Sequence, residues 1–265
     1  MHIHDVFDAL WQDYTTRLCP SALQVHALLQ EESPLINDHI ALRTFAHRDI
    51  GLEVLAKPFL DLGYQAEGDY HFEAKHLYAK HLRHPDATLP KVFISELHLD
   101  ECSQALQAIV ARLIGQIDDL PWSTPEFLWQ GRPWDVSYSE YFELSQESEY
   151  AAWVAAHGYG ANHFTVSVNQ LSRFASVESL NDYLEEQGFT LNDIGGTVKG
   201  TPQVLLEQSS TMADEVGVIF SDMDASIPGG FYEFAKRYPQ ADGQLYQGFV
   251  AANADKIFQS TDRKS

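Results

Sequence analysis

The chain contains 265 residues, 45% of them hydrophobic and 12% aromatic, so it can bury a large core as a single domain. Its 38 acidic and 17 basic side chains leave a formal charge of -21, which argues against nucleic acid or an anionic membrane surface as the main partner. No apolar run reaches about 18 residues, and the opening MHIHDVFDALW lacks the pattern of an export signal. The sequence therefore predicts a cytoplasmic protein with no membrane partner, in which Cys19 and Cys102 are reduced thiols.

The N-terminal third predicts helices followed by a compact strand-rich module. Residues 1–37 contain one or two helices, interrupted near Pro20. Residues 38–99 begin with DHIALRTF, which alternates as a half-buried strand does, and continue with an amphipathic helix, GLEVLAKPFLDLG, that ends in glycine. Three more strands are predicted in YQAEGDYHF, KHLYAKHLRH and PKVFISEL. This order defines a first βαβββ module.

Residues 100–160 predict a helical insertion that covers a side or an end of the sheet. Two helical runs, CSQALQAIVARLIGQI and YSEYFELSQESEYAAWVAAHG, flank a stretch rich in tryptophan and proline. Its aromatic residues, Trp122, Trp129 and Trp134, would either close over a site as a lid or, as we favour, pack against the sheet.

Residues 161–240 repeat the first module. NHFTVSVN predicts a strand, VESLNDYLEEQG a helix that ends in glycine, and three strands follow, near TVKGTPQVLLEQSS, in EVGVIFSDM and in GFYEFAKRY. Residues 241–265 are left as a C-terminal tail. A βαβββ module leaves one sheet face uncovered, so two modules are expected to pair in one α+β domain spanning residues 1–265.

The repeat gives two histidines equivalent positions. His39 and His163 each open the first strand of a module and precede the glycine that ends its helix, Gly63 or Gly188, by nearly the same distance. If the modules pack face to face, the two imidazoles meet. A lone histidine on a strand is usually a hydrogen-bonded core residue, but a pair brought together by a repeat suggests a metal site.

Other catalytic signatures are absent from the sequence. It has no serine elbow, phosphate-binding loop, HExxH or CxxC motif. Asp222 and Asp224 are better interpreted as a solvated turn than as a cation site. A surface or hairpin role is expected for the clustered histidines, which are His71, His76, His81 and His84.

A third ligand for the histidine pair is available in either module. Glu233 lies in the last strand of the second module. The alternative third ligand is Glu96 in the last strand of the first module, which is followed two residues later by His98. Two imidazoles and one carboxylate leave open positions on a metal, as in non-haem Fe(II) oxygenases. The alternative for Glu233 is a surface salt bridge with Lys236 or Arg237.

Several segments resemble a known family. NDHIALRTF, HGYGANHFTVSVN, LEQSSTMAD and FYEFAKRY are similar to the 2-oxoadipate dioxygenase/decarboxylase family, and the duplicated module resembles the vicinal oxygen chelate superfamily. The resemblance implies two βαβββ modules that form one curved mixed sheet around a metal site, with added helices. It also implies that Fe(II) is the cofactor, held by His39, His163 and Glu233, and that Arg43 is a catalytic residue that holds a substrate carboxylate.

The activity implied by the resemblance is an Fe(II)-dependent reaction of a 2-oxo diacid with O₂, in which 2-oxoadipate gives 2-hydroxyglutarate and CO₂ during lysine catabolism. The expected substrate-binding residues are His39, Arg43, His163, Ser209 and Ser210. Well-studied bacterial members are longer, which leaves the exact 2-oxo acid open, and the sequence does not indicate the oligomeric state. Two alternatives stay open: a glyoxalase-like isomerase or hydrolase, which a ligating Glu96 would favour, and a non-catalytic small-molecule binding protein.

Overall fold

The structure, a computed structural model, describes residues 2–117 and 124–262. Its strands are β1 (Asn37–Phe45), β2 (Gln65–Phe72), β3 (Leu77–Arg83), β4 (Lys91–Leu97), β5 (Ala161–Ser167), β6 (Lys199–Thr201), β7 (Leu206–Ser210), β8 (Glu215–Ile219), β9 (Asp224–Pro228) and β10 (Phe231–Arg237). Its helices are α1 (Ile3–Asp13), α2 (Ala22–Leu29), α3 (Leu52–Asp61), α4 (Gln104–Ile114), α5 (Tyr138–Glu147), α6 (Glu149–His157), α7 (Val177–Glu186) and α8 (Ala251–Ile257). None of the helices in these ranges is both long and apolar enough to cross a bilayer.

Eight strands form one mixed sheet in the order β2-β3-β4-β1-β5-β10-β7-β6. β1 and β5, the first strands of the two modules, lie side by side and antiparallel at the centre. Each has the last strand of its own module as its other neighbour, parallel to it: β4 beside β1 and β10 beside β5. The predicted fold class, two modules that share one mixed sheet, is therefore confirmed.

The strand assignment within the second module was wrong in one respect. The segment TVKGTPQVLLEQSS forms two strands, β6 and β7, because the chain turns at Leu205, which has a φ of 66°. This hairpin supplies the module with both of its middle strands. The segment EVGVIFSDM was predicted as one of them, but it forms β8, which pairs only with β9 in a separate two-stranded sheet.

In its described residues, 100–117 and 124–160, the insertion between the modules contributes three α-helices where the sequence predicted two helical runs. Its second helical run breaks at Ser148, whose hydroxyl accepts a hydrogen bond from the backbone N–H of Ala151 and caps α6. Trp134 is buried and donates from Nε1 to the carbonyl of Ala155 at 2.8 Å. Trp129 packs against the core. These two tryptophans therefore pack rather than form a lid, whereas Trp122 lies outside the described residues.

The sheet curls strongly around the C-terminal helix. A flat sheet of eight strands would be about 34 Å wide, whereas a helix as short as α8 is only about 10 Å long. Nevertheless α8 contacts both β2 and β6, which are the two edge strands. The concave face of the sheet thus encloses α8, and Phe249, Asn253 and Ile257 of the C-terminal segment are buried rather than part of a simple tail.

The remaining helices stabilise the outer side and the ends of the sheet. α3 packs on β1, β3 and β4, and α7 packs on β7 and β10, in the equivalent position of the second module. At the N terminus α1 contacts β5 and α2 contacts β10, with a π-helical turn at Tyr14–Leu18 and the break near Pro20 that the sequence predicts. Cys19 and Cys102 are both free thiols.

Candidate metal centre and substrate pocket

The register of the central strands brings three predicted ligands onto the concave face. His39 on β1 pairs with Thr165 on β5, and Thr165 pairs with Glu233 on β10. His163 lies two residues before Thr165, so its side chain has the same orientation. Neighbouring strands are about 4.8 Å apart, which places the three side chains within contact distance across the sheet.

The ligand atoms of these residues converge on one point. His39 Nε2 lies 3.4 Å from Glu233 Oε1, and His163 Nε2 lies 3.1 Å from Glu233 Oε2. All three ligand atoms lie within 4.8 Å of one another, and all three residues are buried. Two ligands at right angles, each about 2.1 Å from an ion, would be about 3 Å apart, so the observed spacing fits a transition metal.

The hydrogen bonds that the two imidazoles make through Nδ1 leave their Nε2 atoms facing Glu233, where Nε2 of His39 also lies 3.1 Å from the hydroxyl of Thr165. His39 Nδ1 lies 2.8 Å from Asp38 Oδ1, and His163 Nδ1 lies 3.1 Å from Asn162 Oδ1. Both oxygens are acceptors, so each Nδ1 carries the ring proton and each Nε2 presents a lone pair towards Glu233. Lone pairs and a carboxylate that face one another in a buried site are stabilised by a metal ion or a proton between them.

Charge effects keep the imidazole of His163 neutral and make an uncompensated charge on Glu233 unfavourable. Burial, reinforced by His39 and Arg43, holds the pKa of His163 well below its usual range. The imidazole therefore stays neutral, as a metal ligand must be. Burial also raises the pKa of Glu233, although His39 opposes this effect. Glu233 accepts a hydrogen bond from Gln208 Nε2 at 2.7 Å through Oε1, whereas its buried Oε2 has no hydrogen-bond partner in the described part of the chain.

Arg43 lies on the same concave strip of β1, four residues after His39. It is only 3% exposed, and its guanidinium contacts three aromatic rings at 5.1 to 5.5 Å, which belong to Tyr150, Trp153 and Phe258. Nη1 donates to Thr261 Oγ1 at 3.1 Å, but the buried Nε and Nη2 atoms have no hydrogen-bond partner among residues 2–117 and 124–262. Burial lowers the pKa of Arg43 to about 10, which keeps it charged at neutral pH.

The C-terminal segment closes this site. Phe249, Ile257 and Phe258 cover the three candidate ligands, and the cavity that remains has a volume of about 20 Å³. That is room for roughly one water molecule or ion. Arg43 and Phe258 also line a neighbouring cavity of about 250 Å³. These two side chains therefore form the wall between a small ion-sized cavity and a larger one open to the surface.

The structure does not bring every predicted residue into the pocket. Ser209 donates a hydrogen bond to Asn181 Oδ1 of α7 at 2.7 Å, so it faces the outer side of the sheet and not the pocket. Ser210 lies beside Glu233 in the sheet, but its hydroxyl shares a hydrogen bond of 2.9 Å with Ser260. Ser209 therefore cannot contact a substrate in the pocket, because its side chain lies on the outer face of the sheet and the pocket lies on the concave face.

Glu96 does not occupy the position equivalent to Glu233. In the sheet His39 pairs with Lys91 and His163 pairs with Phe231, so the residue equivalent to Glu233 is Phe93. Phe93 lines the pocket. Glu96 lies three residues further along β4 and thus points to the other face, where it accepts a hydrogen bond from the N–H of Leu52 at 2.8 Å and caps α3.

Some residues of the site were missed in the sequence. Gln208 lies two residues before Ser210, so strand alternation alone would have placed it on the concave face. Tyr150 and Trp153 are one helical turn apart in α6, and the helical periodicity gave no reason to connect them with Arg43. His81 was expected at the surface, but it is buried beside Tyr70, whose hydroxyl lies 3.0 Å from its Nδ1.

The fold and the site together define a vicinal oxygen chelate-type protein with a buried site of two histidines and one glutamate that fits a metal ion. The family model described as 2-oxoadipate dioxygenase/decarboxylase matches residues 5–120 and 122–241. The chain belongs to this family. The chloroplastic 2-oxoadipate dioxygenase/decarboxylase of Arabidopsis thaliana is 36% identical to this chain. The match covers 87% of this chain and 69% of the plant protein.

Solved structures agree with this membership. A protein of Shewanella frigidimarina, described provisionally as a hydrolase, is 56% identical with a TM-score of 0.91, covering 95% of this chain and 100% of its own. The hydroxyglutarate synthase of Oryza sativa, solved in complex with 2-oxoadipate, is 34% identical with a TM-score of 0.91, covering 97% and 91%. A glyoxalase superfamily protein of Ralstonia eutropha, 23% identical with a TM-score of 0.73 over 93% and 85%, shows the shared fold.

Proposed function

We propose that this protein is an Fe(II)-dependent dioxygenase/decarboxylase that converts a 2-oxo diacid, 2-oxoadipate, into 2-hydroxyglutarate and CO₂ with the consumption of O₂. Membership of the family supports the reaction, and the rice relative solved with 2-oxoadipate supports the substrate. Atoms balance without a second co-reactant, because both atoms of O₂ enter the hydroxy acid while the original carboxyl carbon leaves as CO₂.

His39, His163 and Glu233 would hold the iron. Bound there, Fe(II) would supply open coordination positions at which a 2-oxo acid and O₂ react. Asp38 and Asn162 hold the two imidazoles through Nδ1, and Gln208 holds the carboxylate of Glu233. Because these contacts fix each ligand before the metal arrives, they favour tight binding and a defined arrangement.

The proposal that the substrate is an acid rests on Arg43. A buried guanidinium with two unpartnered donors is unfavourable unless an acceptor occupies the space beside it. Its planar fork suits a carboxylate, which it can bind through two parallel hydrogen bonds. The positive charges of Arg43 and of the metal centre would together neutralise a dianionic diacid in a protein that is strongly acidic outside the pocket.

The site must open to admit such a substrate. A cavity of about 20 Å³ beside the ligands cannot hold a six-carbon diacid, whereas the adjoining cavity of about 250 Å³ can. Movement of Phe258 would join the two. Thr261, which now accepts the hydrogen bond of Arg43, occupies the position that the substrate carboxylate would take. When the site has closed again, Phe93 and Phe249 would exclude water from the reacting groups.

The glyoxalase-like alternative has lost its main support, because Glu96 faces α3 and not the pocket. The test is anaerobic loading with Fe(II), followed by measurement of O₂ uptake, CO₂ and hydroxy acid with 2-oxoadipate and its shorter and longer homologues. Glu233→Gln should lose metal and activity together, whereas Glu96→Gln, a matched control on the same sheet, should retain both. No O₂ uptake with any 2-oxo acid, from protein that holds one iron per chain, would overturn the proposal.

A further inference from the structure

A second cleft, with a volume of about 340 Å³, lies between the loop that joins β3 to β4 and the segment that follows β10. Its polar lining consists of Arg83, His84, Lys91, Gln240, Gln244 and Gln247. Among the described residues, no carboxylate lines this cleft, although the chain as a whole carries a formal charge of -21. The two charged side chains that line the cleft, Arg83 and Lys91, are therefore cationic in a protein that is acidic as a whole.

Lys91 is the central feature of the cleft. It is the first residue of β4 and pairs with His39, so it faces the concave side of the sheet. Only 9% of it is exposed, yet within residues 2–117 and 124–262 no hydrogen bond or ion pair is made by its ammonium group. Burial lowers its pKa to about 8, and the neighbouring carboxylate of Asp38 opposes this effect. The ammonium reaches the solvent of the cleft, so an anion bound there can contact it directly.

The nearest carboxylates already have partners. Asp38 accepts hydrogen bonds from Arg237 Nε at 2.6 Å and Nη2 at 2.8 Å. Glu67 forms an ion pair with Arg83 Nε at 2.9 Å, and Arg83 retains further donors on its guanidinium. Lys91 therefore lacks a counter-ion of its own, and the electrostatic balance of the cleft favours a ligand with negative charge.

The opposite wall supplies neutral donors on an ordered backbone. The segment after β10 is held by hydrogen bonds from Tyr246 N to Tyr238 O at 3.0 Å and from Gln240 N to Gln244 O at 2.8 Å. Gln240 and Gln244 line this wall, and the NH₂ group of a glutamine side chain can donate to an oxyanion. Leu245 adds an apolar surface that suits the carbon skeleton of a small organic ligand.

We propose that this cleft is a binding site for a small oxyanion, a carboxylate or phosphate group held by Lys91 and Arg83 and by the glutamine amides. The site is separate from Arg43 and requires no metal. Leu245 and Gln247 line this cleft while Phe249, a few residues later, covers the candidate metal centre. An occupant would therefore contact the same segment that closes the active site.

The test is calorimetric titration of the whole protein with inorganic phosphate and, separately, with glutarate at low ionic strength. Lys91→Met removes the charge and preserves most of the volume, so the affinity should fall by about tenfold or more. Lys57→Met, the same change on the exposed face of α3, is the matched control and should bind as the wild type does. Binding that Lys91→Met weakens and Arg43→Met retains belongs to the cleft and not to the proposed substrate site.

The two ligands distinguish the possible sources of the anion: tighter Lys91-dependent binding of phosphate indicates a phosphate site, and of glutarate a carboxylate site. If Lys91→Met fails to fold, Arg83→Gln, on a half-exposed side chain, provides the same comparison. A crystal soaked with selenate should show an anomalous peak within hydrogen-bond distance of Lys91 Nζ. Saturable binding of neither ligand to the wild type, or equal binding to Lys91→Met, would overturn the proposal.

Discussion

Asp38 and Asn162 occupy equivalent positions directly before the two candidate metal-ligating histidines, and each accepts a hydrogen bond from the Nδ1 of the histidine that follows it, at 2.8 and 3.1 Å. Both lie where the pairing of β1 with β5 shifts register, so each is an extra residue in its strand. Such bulges re-aim side chains at functional sites. Here they turn both acceptors towards the imidazole beside them.

The two positions differ in charge. Burial alone would raise the pKa of Asp38, but the guanidinium of Arg237 more than offsets this and holds the pKa well below its usual range. The carboxylate is therefore ionised and makes His39 a stronger ligand than His163, whose partner is a neutral amide.

Asp38→Asn should weaken metal binding by about 10- to 100-fold, because it keeps the hydrogen bond to His39 but removes the charge behind it. Competition with a chelator of known affinity measures the change on the purified protein. Asp61→Asn, at an exposed position of α3, is the control and should have no effect. Unchanged metal affinity in a folded Asp38→Asn protein would show that the ionised carboxylate does not contribute.

Arg43→Lys should raise the KM for the 2-oxo diacid by roughly 10- to 100-fold, because lysine keeps the charge but loses the planar fork. Metal affinity should stay the same, since Arg43 is not among the candidate ligands. Steady-state kinetics together with a metal titration separate the two properties. A KM equal to that of the wild type would contradict a carboxylate-binding role for Arg43.

Phe258→Ala should speed metal release to a chelator by about tenfold, because Phe258 forms part of the wall between the two cavities. Stability should fall by about 1–3 kcal/mol, as expected for a partly buried aromatic side chain. Phe142→Ala, at a position that is 48% exposed, is the matched control. If release is as slow as in the wild type, metal and substrate enter by another route.

Acid should destabilise the protein through His157. Burial lowers its pKa from 6.5 to about 3 in the folded state, and its Nε2 lies 2.8 Å from the carbonyl of Pro228. Between these two pH values the unfolded chain binds a proton that the folded chain does not, so stability is present above pH 6.5 and is lost as the pH falls. Each pH unit in this window should shift the unfolding equilibrium by about tenfold for this group.

His157→Gln should reduce that pH dependence, because glutamine does not titrate and its amide can still donate a hydrogen bond. Urea unfolding at several pH values between neutral and mildly acidic measures the slope. His71→Gln, at an exposed position, serves as the control. A slope for His157→Gln as steep as that of the wild type would assign the acid sensitivity to other groups, among them buried His81.

Much of the fold could be predicted because it is built twice. The repeat placed His39 and His163 together, since equivalent strands of two paired modules must lie side by side. The same reasoning failed for Glu96, because the counterpart of Glu233 depends on register. An offset of an odd number of residues moves a side chain to the other face of the sheet, and only the pairing of β4 with β1 shows that Phe93 is the counterpart.

The closing segment could not be predicted from local pattern. α8 is too short to show a clear periodicity, and its position depends on how far the sheet curls. Thr261 and Phe258 meet Arg43 only because the two edges of the sheet approach one another around α8. The role of Asp38 was hidden for a similar reason: a regular strand would have turned its side chain away from His39.

We propose that this protein uses O₂ to remove one carbon from a 2-oxo diacid at the centre formed by His39, His163 and Glu233. A single reaction of the iron-loaded protein with 2-oxoadipate under isotopically heavy O₂, analysed by mass spectrometry, tests this proposal. Both heavy oxygen atoms should appear in 2-hydroxyglutarate, the CO₂ should carry none, and Glu233→Gln should form no product. A product without heavy oxygen, or one formed equally well without O₂, would contradict the proposal.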